Sequence, residues 1–188
     1  MKKTSIVLLF SAALASVSWM TLGCESSATT SHATYEMKKG GKVPPFGGPG
    51  DVQRAETLWR TTLRNYRSWP TPAGFAGWQK GKRPHGKALR YFVNPIAARD
   101  FTANGALIVK ENYMAENGKL VAVTIMQKVP NYDPENQNWF WVKYGPNGEI
   151  MKNPKGMKLA GRVAKGMSKG CISCHSLADD DDYLFIND

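Results

Sequence analysis

Near the C-terminus, Cys171-Ile172-Ser173-Cys174-His175 sets two thiols in a C-x-x-C pair with an imidazole directly after the second. Thiols at that spacing are able to add to both vinyl groups of one haem, and the adjoining histidine then reaches the iron from the same side. Other uses of the pair fit less well. A thioredoxin-like dithiol would sit in a βαβ context, whereas this pair follows the strand-like segments. Zinc would need two further ligands, and besides His175 only His32 and His85 remain. A structural disulfide or a chance match is the remaining alternative. The expected cofactor is one covalent haem c, attached through Cys171 and Cys174, with His175 as the iron's axial ligand. A methionine or second histidine opposite His175 would close the iron for electron transfer, and an open position would admit a small molecule. His85, Met114, Met126 and Met157 are candidates for that position, and spacing excludes none of them.

Covalent haem attachment in bacteria occurs outside the cytoplasm, and the start of the chain leads there. Lys2 and Lys3 precede an apolar stretch from Ile6 to Met20, a signal peptide too short and too serine-rich for a comfortable membrane span. Leu22-Gly23-Cys24 then resembles the end of a lipobox, which makes Cys24 the expected lipidation site and a lipid anchor the expected membrane link. Ordinary cleavage a few residues later is the alternative. Residues 1–23 are read as the signal peptide, residues 24–50, rich in Ser, Thr, Gly and Pro, as a tether, and residues 51–188 as the folded domain. The protein is therefore expected to be exported and periplasm-facing.

The 188 residues carry 25 Lys+Arg against 15 Asp+Glu, a formal net charge of +10. Losing residues 1–23 removes two lysines and no acid, which leaves 23 bases against 15 acids, a net of +8. A hydrophobic content of 42% argues against disorder, and three cysteines cannot build a four-cysteine zinc site or a disulfide framework. The charge invites a nucleic-acid reading, but it is spread over Arg54, Arg60, Arg64 and Arg67 on a predicted helix and over Lys152, Lys155, Lys158, Arg162, Lys165 and Lys169 before the haem motif. The second group is either a docking patch for an acidic redox partner or a solvated face. No nucleic-acid partner is expected. Asp179 to Asp182 form an acidic run that could pair with those lysines, bind a cation, or mark a solvated turn.

Positioning the motif falls to a helix and several strands. Asp51 is a plausible N-cap for a helix carrying Val52, Ala55, Trp59, Leu63 and Tyr66 on one face and ending by Trp69, ahead of Pro70. Strand character runs over Ala88 to Val93, Ala106 to Tyr113, Leu120 to Val129 and Trp139 to Tyr144, with Asn117-Gly118 and Gly145-Pro146-Asn147-Gly148 as breakers. Asn94-Pro95 reads as the start of a short helix through Ala98. The fold class is α+β, a single domain dominated by an antiparallel β-sheet. Alternation along the second of these segments puts Ile108 and Lys110 on one face and Val109 and Glu111 on the other. A lysine on a face shared with Ala106 and Ile108 is either an edge residue with its stem snorkelling to water or a residue with a partner.

Several motifs in one order resemble the cytochrome P-460 family, which includes the cytochromes c′-beta. They are Tyr66-Arg67-Ser68-Trp69-Pro70, His85-Gly86, Tyr91-Phe92-Val93-Asn94-Pro95, Ile108-Val109-Lys110-Glu111, Asp133-Pro134-Glu135-Asn136 with Trp139, Gly170 through His175, and Asp182-Tyr183-Leu184-Phe185. The resemblance implies an antiparallel sheet with a few helices, a homodimer, and one five-coordinate c-type haem. It also implies a role for Lys110 as a covalent cross-link to the porphyrin. The cross-linked members oxidise hydroxylamine to nitrogen oxides and pass electrons to a partner, which would make this an oxidoreductase. The cytochromes c′-beta bind nitric oxide without turnover, and a simple electron carrier is the third possibility. Turnover needs a base to take up protons, and the resemblance implies a distal carboxylate in that role. Residues 159–170 contain no Asp or Glu, so Glu111, Glu116, Asp133 and Glu135 are the carboxylates left to consider.

Overall fold

The structure, a computed structural model, describes residues 45–185. The stretch expected to be a signal peptide, Cys24 and most of the expected tether lie outside the described residues. Six strands form one antiparallel meander in chain order: β1 (Gln79–Lys80), β2 (Ala88–Val93), β3 (Leu107–Tyr113), β4 (Leu120–Lys128), β5 (Trp139–Tyr144) and β6 (Ala160–Gly161). The four long strands coincide with the β-branched and aromatic runs of the sequence, with Ala106 and Val129 falling just outside their ends. The two-residue edges β1 and β6 carry no pattern of their own and exist through pairing with their neighbours.

Helix α1 (Pro49–Thr61) covers one face. It starts two residues earlier than Asp51, with Gly48 as N-cap and proline in the first turn, because a proline at N1 forgoes a donor that has no partner there. Asp51 instead lies in that first turn and accepts the Tyr132 hydroxyl at 2.7 Å. The helix stops at Thr61, and Leu63–Ser68 continue as a 3-10 segment broken at Asn65. Ala55, Leu58, Leu63 and Tyr66 pack on Phe92, Leu107, Val109, Val123, Ile125, Phe140 and Val142 of the sheet. The Tyr144 hydroxyl ties the two layers by donating to the Ala55 carbonyl at 2.7 Å. Asn94-Pro95 makes a turn, not a helix: the Asn94 side chain accepts from the Ala97 and Leu107 amides, which fastens the turn to β3 before a helix develops.

The opposite face carries a second cluster, in which Met126, Trp139 and Trp141 meet Val163, Ala164, Ile172, Tyr183 and Leu184 from the C-terminal segment. Phe46 belongs to this cluster at 3% exposure, and the Gly47 amide donates to the Ala160 carbonyl at 2.8 Å. The packed region thus begins before residue 51, since one aromatic in the glycine- and proline-rich stretch finds a site on the sheet. Among the described residues, no helix is long and apolar enough to cross a membrane.

Candidate functional site

Antiparallel pairing aligns side chains across strands, and the register builds the floor of a cavity from two rows. Tyr91, Lys110, Thr124 and Lys143 form one, and Ile108, Met126 and Trp141 the other. Against this floor lies the C-terminal segment. Helix α2 (Cys171–His175) is a single turn, and the Ile172 amide reaches the Val163 carbonyl. Gly170 allows that approach: its φ is 146° and a Cβ there would lie 2.1 Å from the Ala164 methyl. The resulting cavity, about 250 Å³, is lined by both cysteines and His175 together with Phe75, Tyr91, Phe101, Ile108, Met126, Trp141, Val163 and Leu184. The three residues of the C-x-x-C-H motif therefore open onto one apolar space, with Lys110 on its floor.

His175 is buried between Trp141, at 4.8 Å between ring centroids, and Phe185, at 5.4 Å. Its Nδ1–H donates to the Tyr183 carbonyl at 2.7 Å, which leaves Nε2 as the nitrogen with a lone pair. Burial, and then the charge of Lys110, push the imidazole down to about 4, so the ring is neutral and able to ligate a metal at neutral pH. Burial pushes the Cys171 thiol up to about 11, despite Lys110 nearby, while Cys174 is exposed.

Lys110 does not snorkel to water. Its Nζ donates to His85 Nε2 at 3.0 Å, and burial lowers the amine to about 8. His85 comes from the loop before β2, and its Nδ1 meets Asn112 Oδ1 at 3.0 Å. The Asn112 amide nitrogen donates to the carbonyls of Lys110 and Ala122 and to the Thr124 hydroxyl, so its oxygen is the acceptor. Hence His85 carries its proton on Nδ1 and offers Nε2 to Lys110. Burial and then Lys110 drive His85 down to about 3. The two histidine rings are 6.4 Å apart. With Nε2 engaged by Lys110, His85 is a partner of the lysine in this arrangement and not a ready-made iron ligand.

The other expected residues separate cleanly. Met126 lines the cavity, Met157 packs at the edge of the adjoining cluster, and Met114 is 59% exposed and away from it. None of the four carboxylates lines the cavity. Glu111 points to the α1 face, where Tyr66 Oη at 2.6 Å, Tyr113 Oη at 2.6 Å and Arg67 Nε at 2.7 Å surround it. Asp133 is buried beside Lys165 and Asn136, while Glu116 and Glu135 are exposed. Half of the basic run is taken up internally: Lys158 pairs with Glu56, Lys165 with Asp133 and Glu135, and Arg162 with Asp133 and the Tyr132 carbonyl. Lys152, Lys155 and Lys169 remain exposed. In the acidic run, Asp182 pairs with Lys128, which lies outside that basic run. Among the described residues, no group of three or more His, Cys, Asp and Glu side chains is arranged to hold a metal ion by itself.

Sequence reasoning weighs His85 as a metal ligand and as part of a family motif, not as a partner of Lys110, and does not single out Asn112. A signal for Asn112 is present, since it lies two residues from Lys110 and so on the same strand face. The pairing of His85 with Lys110, across 25 positions, carries no local signal.

The family model described as Cytochrome P460 matches residues 64–186, a span that holds the whole sheet and every cavity residue named above. No curated protein matches the chain. The donor set fits the haem that this family implies: two thiols and a neutral imidazole with a fixed tautomer open onto an apolar cavity, with two lysines on its floor.

Proposed function

The chain belongs to the cytochrome P460 family of c-type haem proteins, and from that premise we propose a mono-haem protein that binds a small nitrogen ligand, nitric oxide first, without oxidising hydroxylamine. In this reading Cys171 and Cys174 would attach the haem, His175 would ligate the iron, and Lys110 would bond to the porphyrin edge, the new N–C bond replacing one N–H and one C–H while two electrons pass to an external oxidant of the peroxide class. Haem, when bound, would supply an iron able to take the small ligand. The observation that carries the choice is the cavity lining, which includes His85, Lys110 and Lys143 but no carboxylate. Hydroxylamine oxidation must pass protons to a base as electrons leave. His85 is the remaining neutral acceptor, and its Nε2 lone pair is engaged by an N–H of Lys110, which a cross-linked amine would still carry, so it is a poor base at neutral pH. The apolar walls favour an uncharged diatomic over a solvated substrate.

Export belongs to the same proposal, with Cys24 lipidated and the domain facing the periplasm, because thioether attachment takes place there. Any acidic redox partner would meet a patch reduced to Lys152, Lys155 and Lys169, and a homodimer rests only on the family resemblance. Purified protein, mixed with hydroxylamine and an electron acceptor, is expected to show no saturable acceptor reduction while nitric oxide changes its absorption spectrum. Saturable turnover would overturn the choice. Mass spectrometry of the haem peptide checks Lys110, since a peptide joined to haem through Cys171 and Cys174 alone removes the cross-link.

A further inference from the structure

Lys128 is a lysine that the cavity does not use. It closes β4 at 5% exposure, and a buried ammonium on a strand needs strong partners to persist. Its Nζ donates to Asp182 Oδ1 at 2.6 Å and to the Gln137 carbonyl at 2.5 Å, and it sits 4.5 Å from the centroid of the Trp139 ring. Trp139 Nε1 donates in turn to the Asp182 carbonyl at 2.9 Å. Both ends of Asp182 are thereby held by the β4–β5 hairpin. The other carboxylate oxygen, Oδ2, is buried with no hydrogen-bond partner, so Lys128 is the cation on which this carboxylate depends.

This clamp sets the backbone that leads to His175. Asp182 and Tyr183 are successive non-glycine residues in the left-handed region, with φ of 54° and 66°. L-residues avoid that conformation unless their surroundings over-determine it. Those two unusual residues turn the chain so that the Tyr183 carbonyl faces His175 Nδ1 at 2.7 Å. An outer-shell acceptor at that nitrogen fixes ring orientation and tautomer and raises ligand basicity.

We propose that Lys128, acting through Asp182, is a positioning residue for His175: it holds the left-handed Asp182-Tyr183 turn whose carbonyl fixes the imidazole. The inference rests on the assignment of His175 as axial ligand, and its test separates the two. Lys128→Met keeps the length of the stem and removes the charge. In the holoprotein, this variant is expected to shift the iron–histidine stretching band in the resonance Raman spectrum and the reduction midpoint. It is also expected to shift the His175 Nδ1–H proton and nitrogen-15 signals of a diamagnetic form, because the carbonyl acceptor at that nitrogen moves. Lys128→Arg should restore these signals in part, which a general loss of packing would not predict. A folded Lys128→Met protein with an unchanged Raman band and unchanged His175 Nδ1–H signals overturns the proposal. If Lys128→Met does not fold, Asp182→Asn keeps the size of the side chain and removes the carboxylate charge that Lys128 holds. The same signals must then move, and their constancy overturns the proposal equally. Wild-type protein without haem would count against the haem assignment alone, since the nitrogen-15 comparison still decides the role of Lys128.

Discussion

Lys110 and Glu111 are neighbours on β3 with opposite charges, and the sheet between them gives those charges opposite treatment. On the α1 side, Glu111 is fully buried and meets three donors. Burial alone would raise its carboxyl, but the hydrogen bonds from Tyr113, Tyr66 and Arg67 outweigh that and hold it below the ordinary range. On the cavity side, Lys110 meets no carboxylate. Its partner is a neutral histidine, and burial lowers the amine to about 8. One face satisfies its buried charge and the other leaves its charge underpaired beside an apolar cavity. Underpaired groups of this kind are where chemistry is expected and local stability is given up.

The sharpest way to break this contrast is at the cysteines. A Cys171→Ala, Cys174→Ala variant that also carries Lys110→Met is expected to lose all haem that survives denaturation, measured by absorption of the unfolded chain. Retained covalent haem would move the function away from the cavity face. Next in size is Glu111→Ala, which strands one buried hydroxyl, one half-buried hydroxyl and one guanidinium. It should lower the unfolding free energy by about 3 kcal/mol in urea titrations, with little change in the haem spectrum of whatever folds. Lys110→Met should do the reverse, changing the haem spectrum and haem-peptide mass while moving stability by about 1 kcal/mol or less. If Glu111→Ala altered the spectrum as strongly as Lys110→Met, the division of labour between the faces would fall.

Much of this contrast is legible in the amino-acid sequence. Period-two alternation separates Lys110 from Glu111, and the β-branched and aromatic runs mark β2 to β5, because both signals are local. The C-x-x-C-H motif is local as well. What stays hidden depends on distance in the chain. Phe46 sits among glycines and prolines, and nothing in that composition tells that one ring will pack on Trp139 and Trp141. The edge strand β6 is two residues that pair only because β5 is there. His85 meets Lys110 from a loop, and the Lys128–Asp182 pair joins residues 54 positions apart. Glu111 stands as a candidate base in the sequence because alternation names its face without saying which face holds the cavity.

The smallest effect separates the two faces by pH. His85 is lowered to about 3 from an ordinary value of 6.5. As pH falls below 6.5 the unfolded chain takes up a proton that the folded chain refuses, so stability falls with pH across the window from 6.5 to about 3. The slope approaches about 1.4 kcal/mol per pH unit, and between about pH 6.5 and 5 the loss should be about 1.5 kcal/mol by integration. His175, lowered to about 4, adds a loss of the same sign over this window, so His85→Gln should remove the His85 share alone, read as urea midpoints at the two pH values drawing closer. Glu111 has the opposite sign of dependence on its own charge: its contribution is present above the unfolded carboxyl value, near 4.5, and is lost only as pH falls below it. An acid loss that begins near pH 6.5 and shrinks in His85→Gln therefore belongs to the cavity face, and one that begins only below about pH 4.5 and vanishes in Glu111→Gln belongs to the α1 face. A wild-type protein equally stable at about pH 6.5 and pH 5 would mean that His85 keeps enough water to hold its proton, and the neutral partner proposed for Lys110 would be lost.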